Sequence, residues 1–304
     1  MIELQSRVLC GDRSGPRLLI TGGVHGDEFE PMAAIRRLFE RIAPLAPREL
    51  RGRLSLIPVV NEAAFLLGTR AAEDGLDLAR TCPGREDGSV TERTAFALAA
   101  AIRDSDFYID LHTGGTRLTV WPLAGYMLHP DTSVLELQRR MARAFNLPLV
   151  WGSDAKLEGR SLSVARDARV PAIYCEYLGG GGCSEEGVAA YVDGCLNVMR
   201  ELGMLDRPIP ESNLCYIVEE TRPGAGHMQI CNPSPATGFF EPAVCLGNCV
   251  RIGDLLGTVT DPLGDNAVDV RASQAGVVIV LHTFRTVRAG DSLAVIIDLD
   301  SRVA

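Results

Sequence analysis

From residue 17 to about residue 203, short apolar runs alternate with segments of helical periodicity, and this alternation constrains the fold more than any other feature. Such a pattern is typical of a mixed, mostly parallel α/β sheet flanked by helices. The predicted strands span residues 18–21, 54–60, 107–111, 118–121 and 172–177. A first helix is predicted from Pro31, which suits a first helical turn, with an apolar stripe that continues to Ile42. Further helices are predicted at residues 91–103, 133–145 and 185–202.

A second, all-β domain is predicted after the proline-rich segment 205–210, where helical periodicity stops. Residues 250–256 (VRIGDLL) return as residues 287–293 (VRAGDSL), and each Gly-Asp pair suits a tight turn between two strands. We therefore predict two domains, 1–205 and 206–304. The second is expected to consist of two interlocked hairpin units, similar to the barrel-sandwich fold of lipoyl and biotinyl carriers.

Lysine is nearly absent, and this restricts the function. Lys156 is the only lysine and lies outside the β-rich part, so a carrier function is excluded. A Schiff-base enzyme or a P-loop nucleotide site would also need a suitably placed lysine. The β domain then either caps the active site or buries a subunit interface, so a homo-oligomer stays open.

The charge and the cysteines indicate which partners to expect. The net charge of −9, from 30 basic and 39 acidic residues, is a poor match to a polyanion, so we expect no nucleic-acid partner. No apolar run approaches the roughly 18 residues of a membrane span, and the N-terminus lacks a signal-peptide pattern, so we expect no membrane partner. The nine cysteines form no C-x-x-C pair and are typical of reduced cytosolic thiols. A cytoplasmic protein with a small-molecule partner is predicted.

Candidate metal ligands follow two of the predicted strands. His25 and Glu28 come after the first strand and are three residues apart, which in a helical turn lets both bind one ion. Alone, this pair is more often a solvated loop that caps the next helix. His112 follows another apolar strand, at what should be the same edge of the sheet, and Asp110 on the same strand face either orients it or forms a turn. Two histidines and a glutamate leave a fourth position for water, the pattern of catalytic zinc.

Three motifs together resemble the succinylglutamate desuccinylase and aspartoacylase family, relatives of the zinc carboxypeptidases. They are GVHGDE at residues 23–28, DLHTG at residues 110–114, and Glu176 shortly before four glycines at residues 179–182. The resemblance covers nearly the whole chain. It implies a zinc carboxypeptidase-like fold and one Zn²⁺ per chain, held by His25, Glu28 and His112.

The same resemblance implies roles for residues elsewhere. Glu176 becomes the general base that activates water, Arg70 the residue that polarises the reacting carbonyl, and Arg80 the anchor for a carboxylate. Asn61 is expected to contact the substrate as well. Ala79 stands where the family usually has asparagine, so one hydrogen bond to the substrate is missing. Without the resemblance, the alternative interpretation of the two arginines is that they are surface residues of a loop.

We therefore expect a zinc-dependent amidohydrolase that removes the acyl group from a small anionic N-acyl amino acid or N-acyl diamino acid. A zinc carboxypeptidase acting on peptides would use the same ligands, and a non-catalytic small-molecule sensor would explain Ala79. The remaining histidines, His129, His227 and His282, are interpreted as structural. Asp27 and Glu30 are interpreted as charges at the N-terminus of the first helix.

Overall fold

The computed structural model describes residues 2–219, 221 and 231–298. The strands of this part are β1 Arg7–Cys10, β2 Arg13–Thr21, β3 Arg51–Ile57, β4 Phe107–His112, β5 Leu118–Met127, β6 Leu149–Ser153, β7 Ala172–Gly179, β8 Tyr216–Glu219, β9 Gly238–Pro242, β10 Cys249–Val250, β11 Leu255–Thr260, β12 Val268–Arg271, β13 Gly276–His282, β14 Thr286–Val287 and β15 Ala294–Ile297. The α-helices are α1 Phe29–Ile42, α2 Ala46–Glu49, α3 Glu62–Leu67, α4 Val90–Arg103, α5 Thr132–Phe145, α6 Ser161–Asp167 and α7 Glu185–Glu201. All the predicted strands and helices are present, with ends that differ by a few residues.

The large sheet brings the ends of three parallel strands to one edge. Its central order is β3-β2-β4-β7-β5, in which β2 pairs with β3 and β4, and β4 with β7, all in parallel. β5 runs antiparallel to β7. The register pairs Thr21 with Asp110 and His112 with Glu176, so the segments that follow β2, β4 and β7 meet at the same edge. This is the edge where ligands tend to bind in open α/β sheets.

Helices cover both faces of this sheet because its central strands are apolar on both sides. Leu18 and Ile20 of β2 face the apolar cluster that includes α1, α5 and α7, whereas Leu19 faces the cluster that includes α4 and α6. Polar residues fix where these helices begin. α4 starts with a capping box formed by Ser89 and Glu92, and Asp131 and Ser184 cap α5 and α7.

The C-terminal part forms an antiparallel sheet of order β12-β11-β9-β14 and also adds strands to the large sheet. As predicted, both Gly-Asp pairs lie in turns, where Gly253 (φ +87°) and Gly290 (φ +91°) adopt left-handed backbone. The two repeat units interlock, because β14 pairs with β9 and β10 pairs with β13.

Strands from both sides of residue 205 share the large sheet, since β8 pairs with β6 and β13 pairs with β5. The division at this residue stays a prediction. Within the described ranges, no helix is both long and apolar enough to cross a membrane. His227 lies outside the described residues.

Candidate metal centre

His25, Glu28 and His112 lie together at the carboxyl edge of the sheet. Nδ1 of His25 is 2.7 Å from Glu28 Oε1, and Nδ1 of His112 is 3.1 Å from Glu28 Oε2. One potential ligand atom from each residue lies within 4.8 Å of the others, and all three residues are buried. His25 lies in the loop after β2 and His112 ends β4, so the parallel pairing of β2 with β4 brings the two histidines together.

Glycines allow the loop after β2 to pack tightly enough to form this cluster. Gly23 has a left-handed backbone (φ +64°). A Cβ atom on Gly26 would lie 2.1 Å from the backbone carbon of Ala64, so no other residue fits there without movement of α3. Asn61 caps α3 through Oδ1, which accepts a hydrogen bond from the Ala64 N–H at 3.2 Å.

Two further carboxylates orient the histidine rings. Asp110 Oδ2 lies 3.1 Å from Nε2 of His112, as the sequence predicts, and Asp77 Oδ1 lies 3.2 Å from Nε2 of His25. With the hydrogen on Nε2, where Asp77 and Asp110 accept it, each Nδ1 presents a lone pair toward Glu28; a second hydrogen on Nδ1 would instead be donated to Glu28. Sequence reasoning noticed the segment around Asp77 but gave this residue no role.

The residues fit a divalent metal ion. With the tautomers fixed in this way, two imidazole lone pairs and a carboxylate converge on one point, an arrangement that needs a proton or a cation between them. Although burial opposes it, His25 and His112 hold the pKa of Glu28 far below its usual range. The carboxylates of Asp110 and Glu28 likewise raise the pKa of His112 well above its usual value, against the effect of burial. Two histidines with one glutamate are a donor set of catalytic zinc.

Glu176 lies beside this cluster, on the strand paired with that of His112. Its carboxylate lines the same cavity, and Oε2 is buried without a hydrogen-bond partner in the part of the chain that the structure describes. Burial raises the pKa of Glu176 to about 8, and the neighbouring carboxylates of Glu28 and Asp110 act in the same direction. The side chain is therefore poised to exchange a proton near neutral pH.

Arg70 points at the cluster from the segment between α3 and α4. Its Nε and Nη2 donate to Asp77 Oδ2 at 3.2 and 3.0 Å, and its Nη1 lies 3.4 Å from His25 Nδ1 and 4.0 Å from Glu28 Oε1. Although burial opposes it, Asp77 and Glu28 raise the pKa of Arg70. Asp77 therefore contacts both His25, a predicted metal ligand, and Arg70, the arginine predicted to polarise the carbonyl.

The cavity has a volume of about 100 Å³, and three arginines line it: Arg70, Arg80 and Arg160. Arg80 donates from Nη1 to the Ala79 carbonyl at 2.7 Å, and Ala79 itself lines the cavity. The described residues offer no hydrogen-bond partner to the buried Nε and Nη2 of Arg160. Sequence reasoning missed Arg160 because it lies in a short loop with no periodic pattern.

Asn61 is not brought to this cavity. Its side chain is fully buried beside α3 and is absent from the cavity wall. The cap of α3 occupies its acceptor oxygen, and the expectation that Asn61 contacts the substrate stays a prediction.

The other described histidines are placed by backbone contacts. His129 Nε2 lies 3.2 Å from the Arg166 carbonyl, and His282 Nδ1 lies 3.3 Å from the Ser292 carbonyl. Glu30 is in the first turn of α1, as predicted, but it is buried and accepts a hydrogen bond from the Ser184 N–H.

Comparisons with known proteins agree with this geometry. A model of the succinylglutamate desuccinylase/aspartoacylase catalytic domain matches residues 14–202. The N-alpha-acetyl-L-2,4-diaminobutyric acid deacetylase of Halomonas elongata is 32% identical over 296 residues, which cover 94% of this chain and 83% of the relative. A succinylglutamate desuccinylase from Silicibacter sp. TM1040 superposes with a TM-score of 0.85 at 28% identity, covering 96% of this chain and 87% of that one. The product-bound ectoine utilization protein EutE (DoeB) of Ruegeria pomeroyi has the same TM-score at 29% identity, covering 97% and 89%.

Proposed function

Because the chain belongs to the succinylglutamate desuccinylase/aspartoacylase family, we propose that it is a zinc-dependent deacylase. Its reaction is the hydrolysis of the amide bond of a small N-acyl amino acid or N-acyl diamino acid. The observation that carries the proposal is the buried His25, Glu28 and His112 cluster, which shares one cavity with Glu176 and Arg70. The deacetylase from Halomonas elongata supports the choice of an N-acyl substrate.

One Zn²⁺ per chain is proposed to bind His25 Nδ1, Glu28 and His112 Nδ1. When bound, the ion supplies a positive charge that polarises the carbonyl and makes water more acidic. Asp77 and Asp110 keep both imidazole rings in the tautomer that such binding requires.

Glu176 moves the proton in this proposal. Its carboxylate accepts a proton from the attacking water and then donates it to the nitrogen of the leaving amine. The buried Oε2, which lacks a partner among the described residues, is available for this transfer. Burial raises the pKa of Glu176, which makes its carboxylate a stronger proton acceptor than an exposed glutamate.

The arginines bind and orient the substrate. Arg70, held by Asp77, stabilises negative charge that develops on the carbonyl oxygen. Arg80 and Arg160 line the rest of the cavity and are proposed to hold the carboxylate of the amino acid. The unpartnered guanidinium nitrogens of Arg160 suit this role, because a buried donor without a partner is costly unless the substrate supplies one.

The Halomonas elongata deacetylase supports a small N-acyl amino acid as the substrate, rather than a peptide. A peptidase would hydrolyse substrates longer than dipeptides, and the proposal predicts that this protein does not. A cytoplasmic location and a homo-oligomer stay predictions.

The proposal is tested by primary-amine release from a panel of N-formyl, N-acetyl and N-succinyl amino acids and diamino acids. The expected result is release from one or a few members that stops when a chelator removes the zinc. No release from any member by protein with one zinc bound would contradict the proposal. Turnover of longer peptides would favour the carboxypeptidase alternative.

A further inference from the structure

A second cavity, of about 570 Å³, adjoins the first. The two share Arg70, Gly114 and Leu118 in their walls. On one side the second cavity is bounded by residues 68–71 and 114–118, and on the other by residues of the C-terminal part, including His282 and Asp291. It is thus formed jointly by residues between 27 and 118 and by residues of the C-terminal part, next to the metal-centre cavity.

Asp27 contributes a buried acceptor to this cavity. Its Oδ2 accepts hydrogen bonds from the backbone N–H and the hydroxyl of Thr116, both at 2.8 Å, so it does not act merely as a charge at the start of α1. Its Oδ1 is also buried, and no donor from the described residues reaches it. Asp27 is 7% exposed overall. A buried carboxylate oxygen without a donor is costly, so a donor from outside the chain would be favourable here.

His282 contributes a second buried nitrogen to the same wall. It is 2% exposed, and its Nδ1 faces the Ser292 carbonyl, which can only accept, so Nδ1 carries a hydrogen. Burial lowers the pKa of His282, although the Ser292 and Thr286 carbonyls and Asp291 oppose this shift; in the neutral ring with the hydrogen on Nδ1, Nε2 has a lone pair. That nitrogen has no hydrogen-bond partner within the described ranges. Both unsatisfied atoms of this wall are therefore acceptors.

The charged residues of the second cavity do not favour an anion. Arg117 stacks over the ring of Phe284, with 5.7 Å from its Cζ to the ring centroid, and its Nη1 lies 3.6 Å from Asp291. Arg70 is bound to Asp77. The first cavity has the opposite character, because it presents the donor nitrogens of Arg160.

We propose that the second cavity binds the free ammonium group of an N-acyl diamino acid, through Asp27 Oδ1 and His282 Nε2. The carboxylate of the same molecule then lies with Arg80 and Arg160 in the first cavity, and its amide lies between them at the metal centre. The inference rests on the proposed deacylase function and selects diamino acids from the wider class of N-acyl amino acids. A metal ion is a poorer occupant, because the only described group of three residues with metal-binding geometry is His25, Glu28 and His112.

The test compares kcat/KM for Nα-acetyl-2,4-diaminobutyrate and Nα-acetyl-2-aminobutyrate, which differ only in the ammonium group. The zinc-loaded wild type is expected to prefer the diamino substrate by about 10- to 100-fold, the range for a hydrogen bond to a charged group. Asp27→Asn keeps an oxygen for Thr116 but turns an NH₂ donor toward the cavity, so the preference should disappear. His282→Leu should lower the preference as well, and it provides a second test if Asp27→Asn does not fold.

Asp193→Asn is the matched control, because it removes the same charge from the exposed surface of α7. It should keep the wild-type ratio. Zinc content is measured for every variant, since Asp27 neighbours Glu28 in sequence. Hydrolysis of both substrates with equal kcat/KM by the wild type, or an unchanged ratio in both Asp27→Asn and His282→Leu, would overturn the inference while leaving the deacylase proposal intact. No hydrolysis of either substrate or of any panel member would instead refute the deacylase proposal.

Discussion

Replacement of Asp77 by asparagine tests how the site is held together. All the partners of this carboxylate are donors: Oδ1 accepts from Ala79 N–H at 2.9 Å and faces His25 Nε2, and Oδ2 accepts from Arg70 Nε and Nη2. Asparagine has only one acceptor oxygen, so its NH₂ group must face one of these two sets of donors. Because the Ala79 N–H is fixed in the 3₁₀ turn Leu78–Arg80, we expect the oxygen to stay on that side and the NH₂ to face Arg70.

The loss of activity expected for Asp77→Asn follows from the two hydrogen bonds that it removes from Arg70. A hydrogen bond to a charged group contributes about 1.5–3 kcal/mol, and the partial solvent exposure of Arg70 and Asp77 places this pair at the lower end. A loss of about 3 kcal/mol in transition-state stabilisation corresponds to a fall of roughly 150-fold in kcat/KM. The His25 contact is kept, so zinc affinity should fall by no more than about tenfold, the low end for loss of a residue that orients a ligand.

The assay measures zinc affinity by competition with a chelator, and kcat/KM for acetyl release at saturating zinc. Asp74→Asn is the matched control: Asp74 lies three residues away and binds Leu76 and Thr91 rather than the site. It should keep both zinc affinity and turnover. An Asp77→Asn variant that recovers full kcat/KM once zinc is saturating would refute the claim that Asp77 acts through Arg70.

Four further predictions concern single residues. Glu176→Gln should bind one zinc per chain, measured by metal analysis, but lose about 10²- to 10⁴-fold in kcat, the range for a general acid–base group. Arg160→Ala should raise KM by about 10- to 100-fold for a substrate with a free carboxylate but not for its amide, a comparison made by steady-state kinetics. Gly26→Ala should destabilise the fold by at least about 1–3 kcal/mol in denaturant unfolding and lower zinc affinity, because the new Cβ meets Ala64. Hydrogen bonds from Ser89 and Thr91 lower the pKa of Asp74 from 3.8 to about 2, although burial opposes them. The ionised Asp74 carboxylate therefore stabilises the folded protein above pH 3.8, and this contribution is lost as the pH falls toward 2. In Asp74→Asn, the unfolding midpoint should no longer show this part of its dependence on acidic pH.

The residues at the ends of parallel strands were predictable from the sequence. His25, Glu28, His112 and Glu176 all follow or end apolar runs, and parallel strands bring their carboxyl ends to one edge whatever the detailed pairing. Their clustering also requires β2, β4 and β7 to be neighbours in the sheet, an order that the sequence does not indicate. The motifs they form are also what carried the resemblance to the family.

Arg160 and Asp77 were not predictable in this way, because loop packing places them. Arg160 reaches the cavity because Gly159, with φ +78°, lies against the backbone of Arg80. A Cβ on Gly159 would be 2.5 Å from the Arg80 carbonyl oxygen. Contacts of this kind join residues about 80 positions apart and leave no periodic trace in the sequence.

The partners of β5 in the sheet could not be predicted from the sequence either. Its apolar run indicates a strand, but nothing in the run indicates that it lies antiparallel to β7 and pairs with β13 of the C-terminal part. β6 was missed because its five residues are buried on both faces, so they show no alternation. These pairings matter for function, since β13 carries His282 to the second cavity.

The central claim is that one metal ion at His25, Glu28 and His112 is required for amide hydrolysis. The most direct test titrates zinc-free protein with Zn²⁺ and follows amine release from Nα-acetyl-2,4-diaminobutyrate. We expect activity to rise with added zinc and to saturate at one ion per chain, and we expect His112→Ala to abolish both zinc binding and activity. Hydrolysis by the zinc-free protein, or one bound zinc per chain without hydrolysis of any N-acyl amino acid or diamino acid, would contradict this claim.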